Sequence, residues 1–254
     1  MSNNNLRQTQ IMHLLETEER VSVTDLARQF AVSDMTVRRD LEVLEQHGAL
    51  NRVHGGAVRA QSRSYEPPFA ARTASRTDAK QRIGLAAAAL LQKGETVILD
   101  AGTTTLEIAR ALRGTHELRV VAMSLHIANL LADQPKITLM LCGGVVRMGE
   151  LSLTGSLAEL AFVDFSFDTY FVSAGGIDLN TGVTEYNPED AAIKRAAFAK
   201  ARRRIAVADG SKIGATAFAR VSAVENLDMI ITDSSASAAK LDEFRKLGIE
   251  VVVV

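Results

Sequence analysis

The chain has 254 residues, of which 47% are hydrophobic and 23% charged, close to the averages of soluble globular proteins. At about 150 residues per domain this length predicts two domains, and the single cysteine, Cys142, excludes a disulfide scaffold. The 29 lysines and arginines balance 30 aspartates and glutamates, so the net charge of −1 does not indicate a nucleic-acid partner.

Two features of the sequence argue against a membrane protein or a secreted protein. The longest run of apolar residues and glycine, from Ile83 to Leu91, is far shorter than the ~20 residues that span a bilayer. The opening MSNNNLRQTQ contains no apolar signal-peptide core. We therefore expect a cytoplasmic protein with no membrane partner.

The N-terminal quarter of the chain has the period of helices, with no strand-like run before Leu50. The segment 22–25 (SVTD) is a variant of a capping box and predicts the start of a second helix. Ser33 is a good N-cap for a third helix, which Gly48 would end as a residue that tolerates a positive φ. Two short strands are predicted around the turn at residues 54–56.

Two short helices, a tight turn and a third helix match a helix-turn-helix, whose last helix enters the major groove of DNA. Arginine suits that task because its planar fork binds guanine or clamps a phosphate. The hairpin after the third helix forms a wing that can lie close to the DNA backbone. The candidate DNA-binding residues on the third helix and the wing are Ser33, Asp34, Met35, Thr36, Arg38, Arg39, Arg52, His54 and Gly55.

A simpler interpretation exists for some of these residues. Taken alone, the Arg38-Arg39 pair is more typical of a solvated helix face, with Asp40 and Glu42 beside it, and His54 is an ordinary turn residue. The DNA-binding hypothesis is favoured because helix period, cap, wing and a basic segment after the wing agree. The small domain is not basic in sum, so its positive charge must be focused on one face.

The basic segment predicts a linker. Residues 59–82 contain six basic residues against two acidic ones, with Pro67-Pro68 in the middle. Prolines stop helices and stiffen a spacer. We therefore place a linker at residues 59–78, between a winged helix-turn-helix DNA-binding domain at 1–58 and an effector-binding α/β domain at 79–254.

Beyond the linker, strand-like apolar runs alternate with alanine-rich helical segments, which predicts a mostly parallel sheet with helices on both faces. The predicted strands are residues 96–99, 119–122, 137–142, 169–173, 204–208, 229–232 and 250–254. The predicted helices are residues 79–91, 106–112, 125–132, 156–163, 188–201 and 236–247. Ligands bind outside the carboxyl ends of such strands, so the loops there are the candidate site.

The loop after the first of these strands suits an anion. It begins at Asp100, and Gly102 lets backbone amides approach a ligand. The hydroxyls of Thr103, Thr104 and Thr105 flank a helix N-terminus, where free N–H groups favour phosphate, and a sulfonate would fit almost as well. The P-loop pattern is absent, and a lone GTTT is more typical of an ordinary strand-to-helix turn.

Other strand-end loops carry hydroxyls, carboxylates and cations that would converge on the same edge and fit a small polyol or sugar with an anionic group. Taken singly, each is more typical of a cap or a surface charge. These further effector-binding candidates are Ser124, Gly143, Gly144, Arg147, Glu185, Lys194, Asp209 and Lys212. Cys142 is expected to be a buried small hydrophobe. The five histidines show no metal-ligand spacing, and we expect no metal and no cofactor.

Motifs along nearly the whole chain resemble one family. The run TVRRDL followed by RVHGGA, within residues 6–58, resembles the DeoR-type bacterial transcriptional regulators. DAGTT, LCGGVVR, FVSAGGID and ADGSKIG are similar to the effector domain of the same family. The resemblance implies a winged helix-turn-helix that reads an operator, usually as a repressor of sugar catabolic genes. It also implies an effector domain similar in fold to ribose-5-phosphate isomerase.

The resemblance further implies roles for single residues. It places Ser33, Thr36, Arg38 and Arg39 on DNA. It places Asp100, Gly102, Thr103 and Thr104 at the phosphate end of the effector, with Ser124, Glu185, Lys194, Asp209 and Lys212 around the sugar. Where family members commonly have Thr-Asn-Ser, this chain has Ala122-Met123-Ser124. The missing amide side chain predicts an effector that differs from that of the commonest members.

The leading hypothesis is a dimeric or tetrameric repressor on double-stranded operator DNA, released by a phosphorylated sugar or sugar alcohol. The alternative is a sugar-phosphate isomerase with an appended helical domain, in which Asp100, Glu185 and Lys212 would perform general acid–base chemistry. An isomerase needs no recognition helix or wing, which favours the regulator. No residue decides between a repressor and an activator.

Overall fold

A computed structural model describes residues 3–18, 20–46, 49–59 and 63–254. The chain divides into two compact units, Met1–Ser75 and Arg76–Val254. The predicted helix end at Gly48 lies outside the described residues. Within the described ranges no helix is long and apolar enough to cross a membrane.

The first unit contains helices and a small antiparallel sheet. Its elements are α1 (Asn3–Thr17), β1 (Arg20–Ser22), α2 (Val23–Phe30), α3 (Asp34–Gln46), β2 (Leu50–Val53), β3 (Gly56–Arg59) and α4 (Phe69–Ala74). The sheet order is β1-β3-β2. The core that joins these elements includes Ile11, Leu26, Val37, Leu41 and Leu50, all of which are buried.

Both predicted helix caps of the first unit are confirmed. The Ser22 hydroxyl accepts a hydrogen bond from the Asp25 amide (3.1 Å) and donates one to the Asp25 carboxylate (2.6 Å). The Ser33 hydroxyl accepts a hydrogen bond from the Thr36 amide (3.2 Å). Each cap satisfies an amide that the helix itself leaves without a partner, which fixes where α2 and α3 begin.

The expectation of no strand before Leu50 is wrong, because β1 pairs antiparallel with β3. Three residues between two helices show no period-2 pattern, so only the partner strand reveals them. Gly56 makes the approach possible, since a Cβ there would lie 2.0 Å from the Val21 carbonyl oxygen. The wing is therefore a three-stranded sheet rather than a two-stranded hairpin.

The predicted linker at residues 59–78 also contains a helix, α4. Pro68 is the N-cap of that helix, and Arg72 donates to the Pro67 carbonyl (2.9 Å) and to the Glu66 carboxylate (2.8 Å). Prolines favour the first turn of a helix as readily as they stop one. The Pro67-Pro68 pair predicts a spacer, but in the structure it precedes the helix α4.

The second unit consists of eighteen α and β elements along the described chain. They are α5 (Thr77–Ala89), β4 (Thr96–Leu99), α6 (Thr103–Ala111), β5 (Leu118–Ala122), α7 (Leu125–Leu131), β6 (Ile137–Leu141), β7 (Val145–Val146), β8 (Leu153–Thr154), α8 (Ser156–Leu160), β9 (Phe167–Val172), β10 (Gly176–Asp178), β11 (Gly182–Glu185), α9 (Pro188–Phe198), β12 (Ala201–Val207), β13 (Ala219–Ser222), β14 (Met229–Thr232), α10 (Ala238–Lys246) and β15 (Glu250–Val253).

The predicted parallel sheet of seven strands is confirmed. Its order is β15-β14-β12-β9-β4-β5-β6, and every neighbouring pair is parallel. From β4 the chain adds β5 and β6 on one side of the sheet. It then adds β9, β12, β14 and β15 on the other side of β4. The strand order therefore reverses between β4 and β9, and such a reversal opens a crevice at the carboxyl ends of the two strands.

Several short strands of the second unit were expected to be loops. The segments after β9 form β10 and β11, which join β13 in a separate antiparallel sheet. The segment after β6 forms the β7–β8 hairpin. The predicted helix at 188–201 was too long, since β12 begins at Ala201, and α6 begins at Thr103 rather than at 106. The three threonines therefore form the first turn of α6.

Candidate functional site

The candidate DNA-contacting residues of α3 share the outer side of its first turns. Ser33, Asp34, Met35, Arg38 and Arg39 are exposed. Thr36 is half-buried, and its hydroxyl lies 2.9 Å from that of Ser33. The intervening apolar residue Val37 is fully buried, which orients the helix on the core of the unit.

Asp40 does not neutralise the two arginines beside it. Its carboxylate is buried and accepts hydrogen bonds from the Arg7 guanidinium (2.5 Å) and the Gln8 amide (3.1 Å). Arg38 and Arg39 have no ion-pair partner among the residues that the structure describes. A unit with nearly balanced charge thus keeps two exposed cations on α3, because an acid that could offset them is turned inward.

The wing is tied to α3 through Arg52. Its amide donates to one carboxylate oxygen of Glu45 (2.9 Å) and its guanidinium to the other (2.6 Å). These hydrogen bonds lower the pKa of Glu45 below its ordinary value. The tip of the wing, His54 and Gly55, is exposed; Gly55 has a φ of +76°, and Arg20 donates to the His54 carbonyl (3.0 Å). Arg52 therefore positions the wing, whereas His54 and Gly55 are open to a partner.

In the second unit, a buried ion cluster lies in the crevice between β4 and β9. Lys194 on α9 has its ammonium 3.1 Å from the Asp100 carboxylate, which follows β4, and it donates a hydrogen bond to Glu185 at the end of β11. It also donates to the carbonyl and hydroxyl of Ser173, which follows β9 (both 3.0 Å). We call Asp100, Glu185 and Lys194 the ion cluster.

The charges of the ion cluster depend on one another. Burial lowers the pKa of Lys194 when taken alone, but the Asp100 and Glu185 carboxylates outweigh burial and raise that pKa above its ordinary value. Burial raises the pKa of Asp100, and Lys194 offsets part of that rise. Lys194 is therefore a permanent cation at neutral pH, and the buried carboxylates depend on it.

The Asp100 carboxylate is occupied by contacts within the chain. One oxygen accepts from the Ala101 amide (2.8 Å), and the other accepts from the Ser173 amide (2.8 Å) and hydroxyl (3.0 Å). Gly102 permits this close packing, since a Cβ there would lie 2.7 Å from the Ser173 Cβ. Asp100 thus holds the loop in shape, and its negative charge faces the cation rather than an incoming anion.

The first turn of α6 offers two hydroxyls at the crevice. Thr105 donates to the Asp100 carbonyl (2.7 Å) and serves the fold of the loop. Thr103 and Thr104 are also buried, yet their hydroxyls have no hydrogen-bond partner within the described ranges. They lie at the N-terminus of a helix of nine residues, where the helix dipole and free amides favour an anion.

Two other candidates, Arg147 and Lys212, do not contact the ion cluster directly but bind residues next to it. Arg147 is 2.7 Å from the carboxylate of Asp190, on the first turn of α9. Burial raises the pKa of Asp190, and the charges of Arg147 and Lys194 oppose that rise. The Lys212 ammonium lies 2.9 Å from the Tyr186 hydroxyl and 5.4 Å from the centre of its ring.

The remaining candidates have structural partners. The Ser124 hydroxyl caps α7 by accepting from the Ile127 amide (3.3 Å). Asp209 caps the short turn after β12 and lies 3.5 Å from the Arg76 guanidinium. Gly143 and Gly144 form the bend from β6 to β7 with φ angles of +77° and +92°.

Sequence reasoning missed Ser173, Tyr186, Asp190 and Arg76 at this site. Ser173 is the last residue of the predicted strand at 169–173, and Tyr186 follows β11, which the sequence does not predict, so the strand-end rule singles out neither. Arg76 lies outside any strand-end loop, and nothing in its sequence context indicates its contact with Asp209.

Two other expectations concern Cys142 and Met123. The expectation that Cys142 is a buried hydrophobe is confirmed, and burial raises the pKa of its thiol to about 12. Met123, at the position where the family resemblance leads us to expect an amide side chain, packs in the same hydrophobic core. Its side chain therefore presents no polar group to a ligand. No cluster of potential metal ligands occurs in the described part of the chain.

Comparison with known proteins covers both units. Residues 7–63 match the DeoR-like helix-turn-helix domain, and residues 75–234 match the DeoR C terminal sensor domain. The regulator GolR of Listeria innocua is 33% identical over 97% of both chains. A putative aga operon transcriptional repressor of Escherichia coli O157:H7 is 35% identical over 98% of this chain and 93% of its own. The repressor CsqR of Escherichia coli K12 is 31% identical over 98% and 95%.

Among solved structures, ribose 5-phosphate isomerase A of Methanocaldococcus jannaschii is 16% identical and covers 54% of this chain and 55% of its own, with a TM-score of 0.41. That score does not establish a shared fold. The full-length relatives are named as regulators and repressors rather than enzymes, so the isomerase alternative is not favoured. The chain belongs to the DeoR family of helix-turn-helix transcriptional regulators.

Proposed function

We propose that this regulator is an oligomeric repressor of carbohydrate catabolic genes that acts in the cytoplasm and leaves its operator when a phosphorylated sugar or sugar alcohol binds. The observation that carries the effector class is the pair of hydroxyls on the largely buried residues Thr103 and Thr104, which have no hydrogen-bond partner among the described residues. They stand at the N-terminus of α6, where the order of the parallel strands reverses.

The groups around the N-terminus of α6 are of two kinds, and each kind suits a different part of a ligand. The α6 amides and the two threonine hydroxyls donate hydrogen bonds, which an anion accepts. Beside the buried ion cluster, the half-exposed Lys212–Tyr186 pair supplies an ammonium and a phenol, which suit the hydroxyls of a polyol. A sugar with one anionic end satisfies both parts, and a plain sugar leaves the α6 end unused.

Release from DNA requires that the effector bind one conformation better than another. An effector with equal affinity for the DNA-bound and free states would shift nothing, however tightly it bound. A difference of about 3 kcal/mol changes operator affinity on the order of a hundredfold. Operator binding assayed with and without the effector therefore tests the function directly, and transcription that rises when the gene is deleted marks a repressor rather than an activator.

We expect Thr103→Ala to weaken the binding of the anionic effector about tenfold or more, because a hydrogen bond to a charged group contributes about 1.5–3 kcal/mol. A thermal-shift screen of sugar phosphates and sulfonated sugars identifies the effector, since a ligand at 100 times its Kd stabilises the folded state by ~2.7 kcal/mol. Titration of the best compound against the variant then gives the change in Kd.

Thr115→Ala is the matched control. Thr115 follows the other end of α6, and its hydroxyl donates to the Leu112 carbonyl (2.8 Å), so the variant loses a hydrogen bond far from the anion. The control should bind the effector as the unmodified protein does. Equal affinity of Thr103→Ala and Thr115→Ala would place the anion elsewhere, and turnover of a pentose or hexose phosphate would restore the isomerase alternative.

A further inference from the structure

Arg76, the first residue of the second unit, has a backbone conformation that arginine rarely adopts. Its φ of +52° and ψ of +36° lie in the left-handed region, where the Cβ of any residue other than glycine crowds a carbonyl oxygen. Its own carbonyl begins α5 by accepting a hydrogen bond from the Lys80 amide (3.1 Å). Backbone strain of this kind persists only where surrounding contacts hold it, and it is common at ligand clamps and switches.

The side chain of Arg76 supplies such contacts by bridging two loops at the carboxyl edge of the parallel sheet. Its Nε lies 3.5 Å from the carboxylate of Asp209, in the loop after β12. Its Nη1 donates to the hydroxyl of Ser235, in the loop after β14 (3.2 Å). The two loops are also bonded to each other, because the Gly210 amide donates to the Asp233 carboxylate (2.7 Å). We call Arg76, Asp209 and Ser235 the Arg76 bridge.

The loop after β12 also reaches the candidate crevice. Lys212, the third residue after Asp209, donates to the Tyr186 hydroxyl at 2.9 Å. The short turn at residues 210–212 joins the two side chains, and the Asp209 carboxylate caps that turn. Because the turn is so short, a ligand hydroxyl that displaces Lys212 from Tyr186 is expected to move the carboxylate that Arg76 contacts.

We propose that Arg76 is the positioning residue through which effector binding in the crevice acts on the chain that leads to the DNA-binding unit; the proposal rests on the proposed function. Ser75, the last residue of the first unit, directly precedes Arg76 and ends α4. The dihedral angles of Arg76 therefore set the direction in which the chain leaves the second unit. Movement of the loop after β12 releases the Arg76 bridge, and relaxation of Arg76 to an ordinary conformation redirects the chain. An effector that prefers one of these conformations shifts their populations and, with them, the operator affinity.

The charges around Arg76 favour a bridge over a direct contact with an anion. The Asp209 carboxylate already faces the guanidinium, and the Ser235 hydroxyl that accepts from Arg76 also donates to the Asp233 carboxylate (3.1 Å). A phosphate that approached Arg76 would meet two carboxylates, which repel it. Arg76 is therefore suited to respond to the position of the loop rather than to bind the anionic end of an effector.

Operator affinity measured with and without a saturating effector tests the proposal. The probe is the compound with the largest thermal shift in a panel of sugar phosphates and sulfonated sugars, and saturation removes any influence of effector affinity. The unmodified protein should lose operator affinity on the order of a hundredfold, and Arg76→Ala less than about fivefold. Arg202→Ala is the matched control, because the Arg202 guanidinium lies 3.5 Å from the Asp168 carboxylate near the start of β12, the end opposite Asp209. The control should respond to the probe as the unmodified protein does.

Hydrogen exchange provides a second measurement that needs no effector. Ser235→Ala removes one end of the Arg76 bridge, and the amide of Ser75, which donates to the Ala71 carbonyl in α4 (3.1 Å), reports on the other side of Arg76. We expect that amide to exchange at least about threefold faster in Ser235→Ala. Adding Ser235→Ala to Arg76→Ala should change the rate no further, because both substitutions break one contact. Ser237→Ala is the matched control in the same loop, since the Ser237 hydroxyl makes no capping hydrogen bond to α10 within residues 63–254.

Two results would overturn the proposal: full effector-dependent release of Arg76→Ala from the operator, or equal exchange of the Ser75 amide in Ser235→Ala and Ser237→Ala. An Arg76→Ala protein that no longer binds the probe contradicts it as well, since Arg76 would then be a ligand contact. Failure of the proposed function gives a different result. Operator affinity of the unmodified protein would then respond to no compound of the panel, while the exchange measurement would still decide whether the Arg76 bridge couples the loop to α4. Far-UV circular dichroism verifies that each variant is folded, and Ser235→Ala replaces Arg76→Ala in the operator assay if the latter does not fold.

Discussion

Replacing Lys194 by methionine is expected to lower the free energy of unfolding of the second unit by about 3–5 kcal/mol. The ammonium of Lys194 is buried between the carboxylates of Asp100 and Glu185 and donates to Ser173 as well. Methionine fills a similar volume but leaves two buried carboxylates without their cation. Urea unfolding followed by circular dichroism measures the loss.

Lys93→Met is the matched control for this change. Lys93 forms an ion pair with Glu117 (3.2 Å), but both side chains are mostly in solvent, where such a pair contributes about 0–1 kcal/mol. We expect the control to unfold within that range of the unmodified protein. Equal stability of the two lysine variants would show that the Asp100 and Glu185 carboxylates do not depend on the Lys194 ammonium.

The loss in Lys194→Met should shrink as the pH falls. Without the cation, burial keeps the pKa of Asp100 raised, and the offset that Lys194 provides is gone. A carboxylate whose pKa is higher in the folded state than in the unfolded state binds protons preferentially in the folded state. Stability is then greatest below the unfolded pKa and is lost as the pH rises through the folded pKa. Unfolding measured from neutral to mildly acidic pH should show the variant approaching the unmodified protein.

The sequence predicted the parallel sheet well because each of its strands is an apolar run, which can be recognised without knowing which strand pairs with it. The strands that escaped prediction have two to four residues and become strands only by pairing. β11, for example, pairs with β13, whose Arg220 lies far along the chain from Thr184. In such segments the tertiary contact decides the conformation, and local pattern carries no signal.

The candidate crevice was predictable to the extent that it follows from parallel topology. The carboxyl ends of parallel strands share one edge, so Asp100 and Asp209 could be placed there from the strands that precede them. The arrangement among those residues depends on strand order, which the apolar runs do not specify. That β9 lies beside β4, so that Ser173 contacts Asp100, became known only from the sheet.

Net charge was uninformative about DNA because burial separates the charges of the first unit. A net charge counts Asp40 as cancelling one of Arg38 and Arg39. In the structure Asp40 is buried and bonded to Arg7, whereas the two arginines are exposed. The helical period of the sequence places Val37 and Leu41 in the core. It does not reveal that Asp40 forms an ion pair with Arg7. Because the Arg7 guanidinium neutralises Asp40, the electrostatic field near α3 is dominated by its exposed charges.

Arg38→Ala and Arg39→Ala are each expected to weaken operator binding by about 1–3 kcal/mol, and the double variant on the order of a thousandfold, because both guanidiniums are exposed on α3, which we expect to enter the major groove. A DNA fragment that the unmodified protein selects from a random pool serves as the operator. Fluorescence anisotropy over a salt series then separates the roles: loss of a phosphate contact lowers the salt slope by ~1, whereas loss of a base contact relaxes sequence preference.

Arg245→Ala provides the control, since Arg245 is an exposed arginine of the second unit that pairs with Asp242 at 2.7 Å. It removes the same charge as either single variant and should leave operator affinity within about twofold, because Arg245 lies outside the helix-turn-helix domain and its charge is exposed to screening by salt. All four variants should show the same thermal shift with the effector as the unmodified protein. If the Arg38 and Arg39 variants kept full operator affinity, α3 would not be the recognition helix, and the exposed tip of the wing at His54 and Gly55 would be the next surface to consider.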